Sequence, residues 1–348
     1  MVALSIGVPV YNGERYVAEA LDCLLSQTFK DLEVIVSDNA STDATADIVR
    51  SYAERDPRVK YYRNPTNIGA QPNYNRTFER AAGKYFKWHA CDDLCAPTYL
   101  EKCVAALESD PSAVLCQSRT VLIDGAGEPL IFDPDLQLFT NRNRTFGIHG
   151  PDEHFADSDD PIIRFRDALM RTVSCQYVMA LVRTDVARKT GLLASYYASD
   201  RAFLIEMAVR GRFLEVPEPL FFNRMHERNS RMLASAKDKA MWSGASTWLG
   251  PLDFLRGHIN ISRGLLRTDL SLAAKMRCFG FAASKALAAR IGRPMTPMPG
   301  AFYRPEPVAA IELGFASPSG RPARRMPFLL MVADRIAAAV ITVLSSII

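Results

Sequence analysis

The feature that most constrains this 348-residue chain is a repeated change of hydrophobic period over its first 125 residues. Apolar runs at 4–10, 32–37, 59–62, 85–90 and 113–123 are short enough for strands. Between them, segments 15–27, 42–54, 73–82 and 98–109 repeat apolar residues at helical spacing, as Val17, Ala20, Leu21, Leu24 and Leu25 do in the first. Strands alternating with helices predict βαβ units, hence an α/β fold with a mostly parallel central sheet flanked by helices. Such sheets bind ligands outside the carboxyl ends of the strands, near the point where strand order reverses. The polar residues that end the runs are therefore the candidates: Pro9 to Asn12, Asp38 and Asn39, the 64–69 stretch with Asn67, and Asp92 with Asp93.

Beyond 123 the pattern changes. Residues 124–160 are rich in Asp, Asn, Gly and Pro without periodicity and predict a long loop, of the kind that acts as a lid or specificity element. Order returns with a helix over 162–171, a strand over 177–182 and a helix over 202–210 that Gly211 closes. Segment 237–291 reads as a helical extension carrying Trp242, Trp248, Phe254, Phe279 and Phe281. Residues 292–327 hold eight of the 21 prolines, a linker composition, and 328–348 is an apolar helical segment interrupted by Asp334 and Arg335. Its last thirteen residues are uncharged, short of the roughly 20 a membrane span needs.

Composition narrows the class. With 48% apolar and 23% charged residues the chain is neither disordered nor fibrous. Seven scattered cysteines without a CxxC pair argue against a disulfide framework and a structural zinc site. The opening MVALSIGVPV lacks the form of a secretory leader, so the expected location is the cytoplasm. Charge is uneven: from Arg256 onward thirteen Lys and Arg face four Asp and Glu, a local +9 within a net +4. That excess sits beside apolar segments, which suits the anionic face of a membrane and no nucleic-acid recognition motif.

Three places carry chemistry. Asp92 and Asp93, adjacent carboxylates at the end of an apolar strand, suit an oxygen-ligand site for Mg²⁺ or Mn²⁺, or simply lead into the helix that follows Pro97. Asp38 can accept hydrogen bonds from a pyrimidine base and a ribose, or serve its own turn. Asp200 can act as a base, or cap the helix before Ala202.

The stretches VPVYNGERYVAEALDCLLSQTF, EVIVSDNASTDAT and NIGAQPNYNRTFERAAGKYFKWHACDDLCAPTYLEK, in this order and spacing, resemble the inverting family 2 glycosyltransferases of the Rossmann-like GT-A fold. The resemblance runs over about residues 4–230. It implies a catalytic domain over 1–236, with a nucleotide-sugar half (1–123) and an acceptor half (124–236). It also implies that Pro9, Tyr11, Asn12, Asp38 and Asn67 border the nucleotide, and that Asp93 with His226 holds the metal while Asp92 lies nearer the ribose, or the two acids exchanged. The chain departs from the family at Ala90, where many members have a further acid, and at Ser199, the first of a usual acid pair. By the same resemblance Asp200 deprotonates the acceptor hydroxyl, Arg224 and His226 form an R-x-H element at the diphosphate, and Gln176 is a lesser acceptor-side candidate. The implied reaction moves a sugar from a nucleoside-diphosphate sugar, UDP- or dTDP-linked, to a glycan, glycolipid or glycoprotein hydroxyl. Two other readings stay open: a nucleotidyltransferase, which VPVYNGERY fits poorly for want of a glycine-rich basic signature, and a degenerate sugar-nucleotide or glycan-binding module.

Overall fold

The computed structural model describes residues 2–133, 138–141, 145–146, 154–233, 235–245 and 253–290. The linker and apolar helix expected over 292–348, and Trp248, lie outside them.

In chain order the elements are β1 (Leu4–Val10), α1 (Val17–Leu25), β2 (Leu32–Asp38), α2 (Thr45–Arg55), β3 (Val59–Arg63), α3 (Ala70–Glu79), β4 (Tyr85–Trp88), β5 (Leu94–Cys95), α4 (Tyr99–Ser109) and β6 (Ala113–Ile123). There follow β7 (Ile131–Asp133), β8 (Leu138–Thr140), β9 (Thr145–Phe146), α5 (Pro161–Arg171), a 3-10 turn (Gln176–Met179), β10 (Leu181–Arg183), α6 (Thr184–Ala187), α7 (Asp200–Arg210) and β11 (Arg212–Arg224). A 3-10 turn at Ser230–Met232 leads to α8 (Ala236–Trp242), α9 (Asp253–Leu266) and α10 (Leu272–Arg290).

The main sheet has the order β3-β2-β1-β4-β10-β6-β11-β5. All seven residues of β1 and of β2 are buried, as expected of strands covered on both faces. The β1–β2, β1–β4, β2–β3 and β6–β11 pairs are parallel. β10 runs antiparallel to both neighbours, and β5 antiparallel to β11. The chain lays β2 and β3 on one side of β1 and β4 on the other, so the order reverses at β1 and opens a crevice at the carboxyl ends of β1, β2 and β4.

Two segments differ from expectation. Segment 124–160 contains the antiparallel sheet β7-β8-β9, where Phe139 and Leu130 find apolar partners in Leu122 just before the segment and in Met225, far off in sequence. The strand expected over 177–182 is split into the 3-10 turn and β10, since Cys175 takes a left-handed conformation (φ 57°) and turns Tyr177 into the core. Gly211 does end α7, in extended backbone.

Two apolar cores cover the two faces of the sheet. One packs Val17, Leu21, Leu24, Tyr99, Leu100 and Leu107 of α1 and α4 on β1, β2 and β6. The other joins Phe78, Trp88, Phe165, Phe203 and Phe213 with Ile261, Leu265 and Cys278, so α9 and α10 share a core with α5 and α7. The Glu206 carboxylate reinforces that junction by receiving Arg210 at 2.9 Å and Arg267 at 2.7 Å.

Candidate active site

The parallel register sets Val10 beside Asp38, so both polar turns leave the sheet at one level. Asp38 is fully buried; its Oδ1 accepts the Ser41 N–H (2.8 Å), while Oδ2 accepts the Tyr61 hydroxyl (2.7 Å) and Arg63. Asn12, held at φ 50°, joins the two turns: its N–H donates to Ser41 Oγ and its Oδ1 accepts from Thr42 N–H. Asn39 donates to Asn67 Oδ1 (2.8 Å) and accepts from Asn64 and the Ile68 N–H. Pro9 is buried inside β1, and Tyr11 stands on the rim, 48% exposed. The structure therefore gathers Tyr11, Asn12, Asp38 and Asn67 along one edge. Asn64 and Asn73 are the buried ties beneath it, with Asn73 also receiving the Ser37 hydroxyl. Asparagine is common in turns, so nothing in the sequence marks these two as an internal network.

Past β4 the chain turns, and β5 pairs with Phe221 and Phe222 of β11, which brings Asp92 and Asp93 against Arg224. The two acids face different surroundings. Asp93 is buried, and its Oδ1 accepts the Arg224 N–H and the Asn223 side chain, both at 2.9 Å. Its other oxygen is buried without a hydrogen-bond partner. Burial first, and the Asp92 charge second, push the Asp93 carboxyl up to about 7, against the pull of Arg224, Asn223 and Lys87. Lys87, buried under this turn between Tyr99 and Phe221, is pushed down to about 8 by burial. Asp92 is partly exposed, and its Oδ2 lies 2.8 Å from His226 Nε2. Since His226 Nδ1 accepts the Arg228 N–H, the proton is assigned to Nε2, which donates to Asp92. His226 thus meets Asp92, not Asp93.

Arg224 is the keystone of this corner. It is almost fully buried, donates from Nε to the Asp92 carbonyl (2.7 Å) and from Nη2 to Glu19 (2.6 Å), and lies over the Tyr16 ring at 4.6 Å. Tyr16 also packs on His226, with ring centroids 5.0 Å apart. Between Arg224 and His226, Met225 is buried against Leu122, Leu130 and Phe139, which buttress the R-x-H element from behind. Sequence reasoning missed Tyr16, Glu19 and Asn223. Glu19 in particular reads as an ordinary exposed helix acid, and only the return of β11 gives it a partner.

Asp200 opens α7 after Ala198, which adopts φ 66°. Ser199 takes the cap position there without a side-chain cap bond. The Tyr74 phenol is raised by burial and then by charge from Asp92, Cys91, Asp93 and Asp200 together. Gln176 is buried in the 3-10 turn, where its carbonyl accepts from Gln117. Among the described residues no three His, Cys, Asp or Glu side chains form a metal cage. What the structure offers a divalent cation is the partly open Asp92 carboxylate beside an imidazole. That donor pair fits a cation that completes its shell with phosphate oxygens and water.

Residues 5–156 match the family model described as glycosyl transferase family 2. An uncharacterized glycosyltransferase of Haemophilus influenzae is 25% identical over 64% of this chain and 65% of its own length. One from Rickettsia typhi is 35% identical over 37% of this chain and 40% of its own. The chain thus spans two fifths to about two thirds of these relatives. Among solved structures, S. aureus TarS 1-349 in complex with UDP matches with a TM-score of 0.55 and 19% identity, over 84% of this chain and 76% of that one. Its complex with UDP-GlcNAc matches with a TM-score of 0.53 and 21% identity. The sheet order and the likeness to these structures give the chain the GT-A fold, and its 5–156 segment is similar to glycosyl transferase family 2.

Proposed function

We propose that this protein is an inverting glycosyltransferase that moves a sugar from a nucleoside-diphosphate donor to a hydroxyl of a glycan, glycolipid or glycoprotein. The observation that carries the reading is convergence: Asp92 from the turn after β4 meets Arg224 and His226 from the end of β11 around Tyr16, and the Asp200 charge at the start of α7 acts with that of Asp92 on the buried Tyr74 phenol. The nucleotide lies along the Tyr11, Asn12, Asp38 and Asn67 edge. UDP is the first nucleotide to try, with dTDP second, because the TarS structures of like fold include UDP complexes.

Asp92 would hold Mn²⁺ or Mg²⁺, with His226 Nε2 as second ligand in the tautomer protonated on Nδ1, which gives up the Arg228 N–H bond to that nitrogen. Asp93, turned inward, sets the turn that presents Asp92. The bound cation would supply positive charge against the departing diphosphate. Arg224 fixes the Asp92 backbone. Asp200 accepts the proton of the acceptor hydroxyl as that oxygen attacks from the face opposite the leaving group, which inverts the anomeric centre. Among the described residues no helix is long and apolar enough to cross a membrane. Peripheral attachment through the basic C-terminal third accords with Leu272, Met276 and Leu287, exposed along α10.

Thermal shift with UDP, dTDP and GDP, each with and without Mn²⁺, tests the donor site. At 100 times the dissociation constant the stabilisation is about 2.7 kcal/mol. The expected result is a metal-dependent shift that Asp92→Asn removes and Asp200→Asn keeps, with donor turnover abolished in both. Absence of any shift in the wild-type protein would overturn the reading, and a shift with full turnover in Asp200→Asn would remove Asp200 as base.

A further inference from the structure

One exposed aromatic group has no part in the site as described so far. α8 is a short polar helix, AKDKAMW, in which Ala240 alone is buried, yet it ends with Met241 66% and Trp242 36% exposed. Trp242 meets the Tyr197 ring at a centroid distance of 6.2 Å and an angle of 66°, and Lys239 lies over the Tyr197 ring at 5.0 Å. Both ends of this group are pinned to the reaction centre. Tyr197 precedes Asp200 by three residues, and after burial the Asp200 charge is the next influence that raises its phenol. Two residues beyond Trp242, Gly244 abuts the Gly69 turn at the nucleotide edge so closely that a Cβ on Gly69 would stand 2.2 Å from the Gly244 Cα. Trp242 is thus tied through Tyr197 to the segment that leads into Asp200 and through Gly244 to the turn at Gly69.

We propose that Trp242 with Tyr197 is the platform on which a sugar ring of the acceptor stacks, so that the acceptor is recognised as a carbohydrate. This rests on the glycosyltransferase reading and adds to it the class of the acceptor and the residues that hold it. A pyranose presents a face of C–H groups and an edge of hydroxyls. Laid on an indole or phenol ring it removes the apolar face from water and leaves the hydroxyls to polar neighbours, the match that aromatic side chains with wet edges offer. Here those neighbours are Lys239, Asp200 and Arg231, whose charge also acts on Tyr197. The same charges disfavour a hydrocarbon chain as occupant, since each would lose hydration without gaining a partner.

The test uses the full chain with saturating UDP and Mn²⁺. Tryptophan emission is followed against methyl glycosides of glucose, galactose, mannose, rhamnose and N-acetylglucosamine, with octyl phosphate as the hydrocarbon probe. Stacking tolerates changes in hydroxyl pattern, so at least one glycoside should alter the emission, and Trp242→Phe should remove the change. With that glycoside as acceptor, Trp242→Ala should raise its KM about tenfold, with kcat within about twofold and the UDP thermal shift unchanged, and Trp242→Phe should recover much of the loss. The proposal is overturned if wild-type protein that binds UDP responds to octyl phosphate alone or to none of the probes, or if Trp242→Ala leaves KM unaltered. A wild-type protein without a UDP shift fails earlier: it overturns the donor reading, and the platform with it.

Discussion

Replacing Arg224 by Lys keeps the positive charge at the centre of the site and removes the planar fork. In the structure the guanidinium spends Nε on the Asp92 carbonyl at 2.7 Å, Nη1 on the Gly125 carbonyl at 3.4 Å and Nη2 on Glu19 at 2.6 Å, while its plane covers Tyr16. A single ammonium can keep the Glu19 contact, and since Glu19 is 56% exposed that pair is worth about 1 kcal/mol or less. The loss lies in the charge-assisted bond to the Asp92 carbonyl, about 1.5–3 kcal/mol. Weaker contact with Tyr16 adds about 0.5–1 kcal/mol. The sum, about 2–4 kcal/mol, lowers Tm by roughly 5–15 °C at 2–4 °C per kcal/mol. Calorimetry with and without UDP and Mn²⁺ reads both consequences. Arg224→Lys should melt earlier and should also bind donor more weakly, because the backbone that presents Asp92 is no longer fixed. An unchanged Tm together with an unchanged UDP shift would refute the idea that the fork organises this corner.

Two further predictions concern how the site is held from outside. Burial by itself would raise the Glu206 carboxyl, but hydrogen bonds from Arg267, Arg210 and the Gly191 N–H outweigh it and leave the carboxyl below its usual range. Its stabilising contribution is therefore complete above the ordinary carboxylate value and fades as pH falls through the lowered one. Glu206→Gln should cost about 2–3 kcal/mol near neutral pH, discounted because Arg267 is 38% exposed, with the gap to wild type closing below about pH 4 in urea titrations. A gap that does not narrow at all as the pH falls below the ordinary carboxylate value would show the loss to be one of shape and not of charge. Gly69 adopts φ 86°, ψ 165°, a region open essentially to glycine, with the Gly244 backbone against it. Gly69→Ala should cost about 1–3 kcal/mol in backbone strain alone and release α8, seen as faster tryptic cleavage at Lys237 and Lys239. Wild-type cleavage rates would mean that the two glycine backbones do not anchor this helix.

The local pattern of the first half was written plainly in the sequence. Runs such as LSIGVPV and LEVIVSD are buried on both faces, and their composition alone calls for central strands of a parallel sheet. The placing of Asp38 and of the Asp92 pair at strand ends followed from the same periodicity. What the sequence lacked was partners from a distance. The short sheet inside 124–160 shows no period, because its buried Phe139 rests on Met225 and Leu122 rather than on an amphipathic pattern of its own.

The division between the two acids of the pair illustrates the limit further. As letters, Asp92 and Asp93 are equivalent. Only the return of β11 supplies an N–H and an amide to bury Asp93, and an imidazole to meet Asp92 at the surface. In the same way Glu19 and Arg224, 205 residues apart, become an ion pair only when α1 and the end of β11 are packed together. The sequence by itself determined the α/β order of elements and the placing of Asp38 and the Asp92 pair at strand ends, because secondary structure and strand burial are governed by neighbours within a few residues. The tertiary structure alone decided which carboxylate faces solvent, what holds Arg224, and that Trp242 packs on Tyr197, because each depends on groups from separate parts of the chain whose desolvation and pairing exist only once the sheet is assembled.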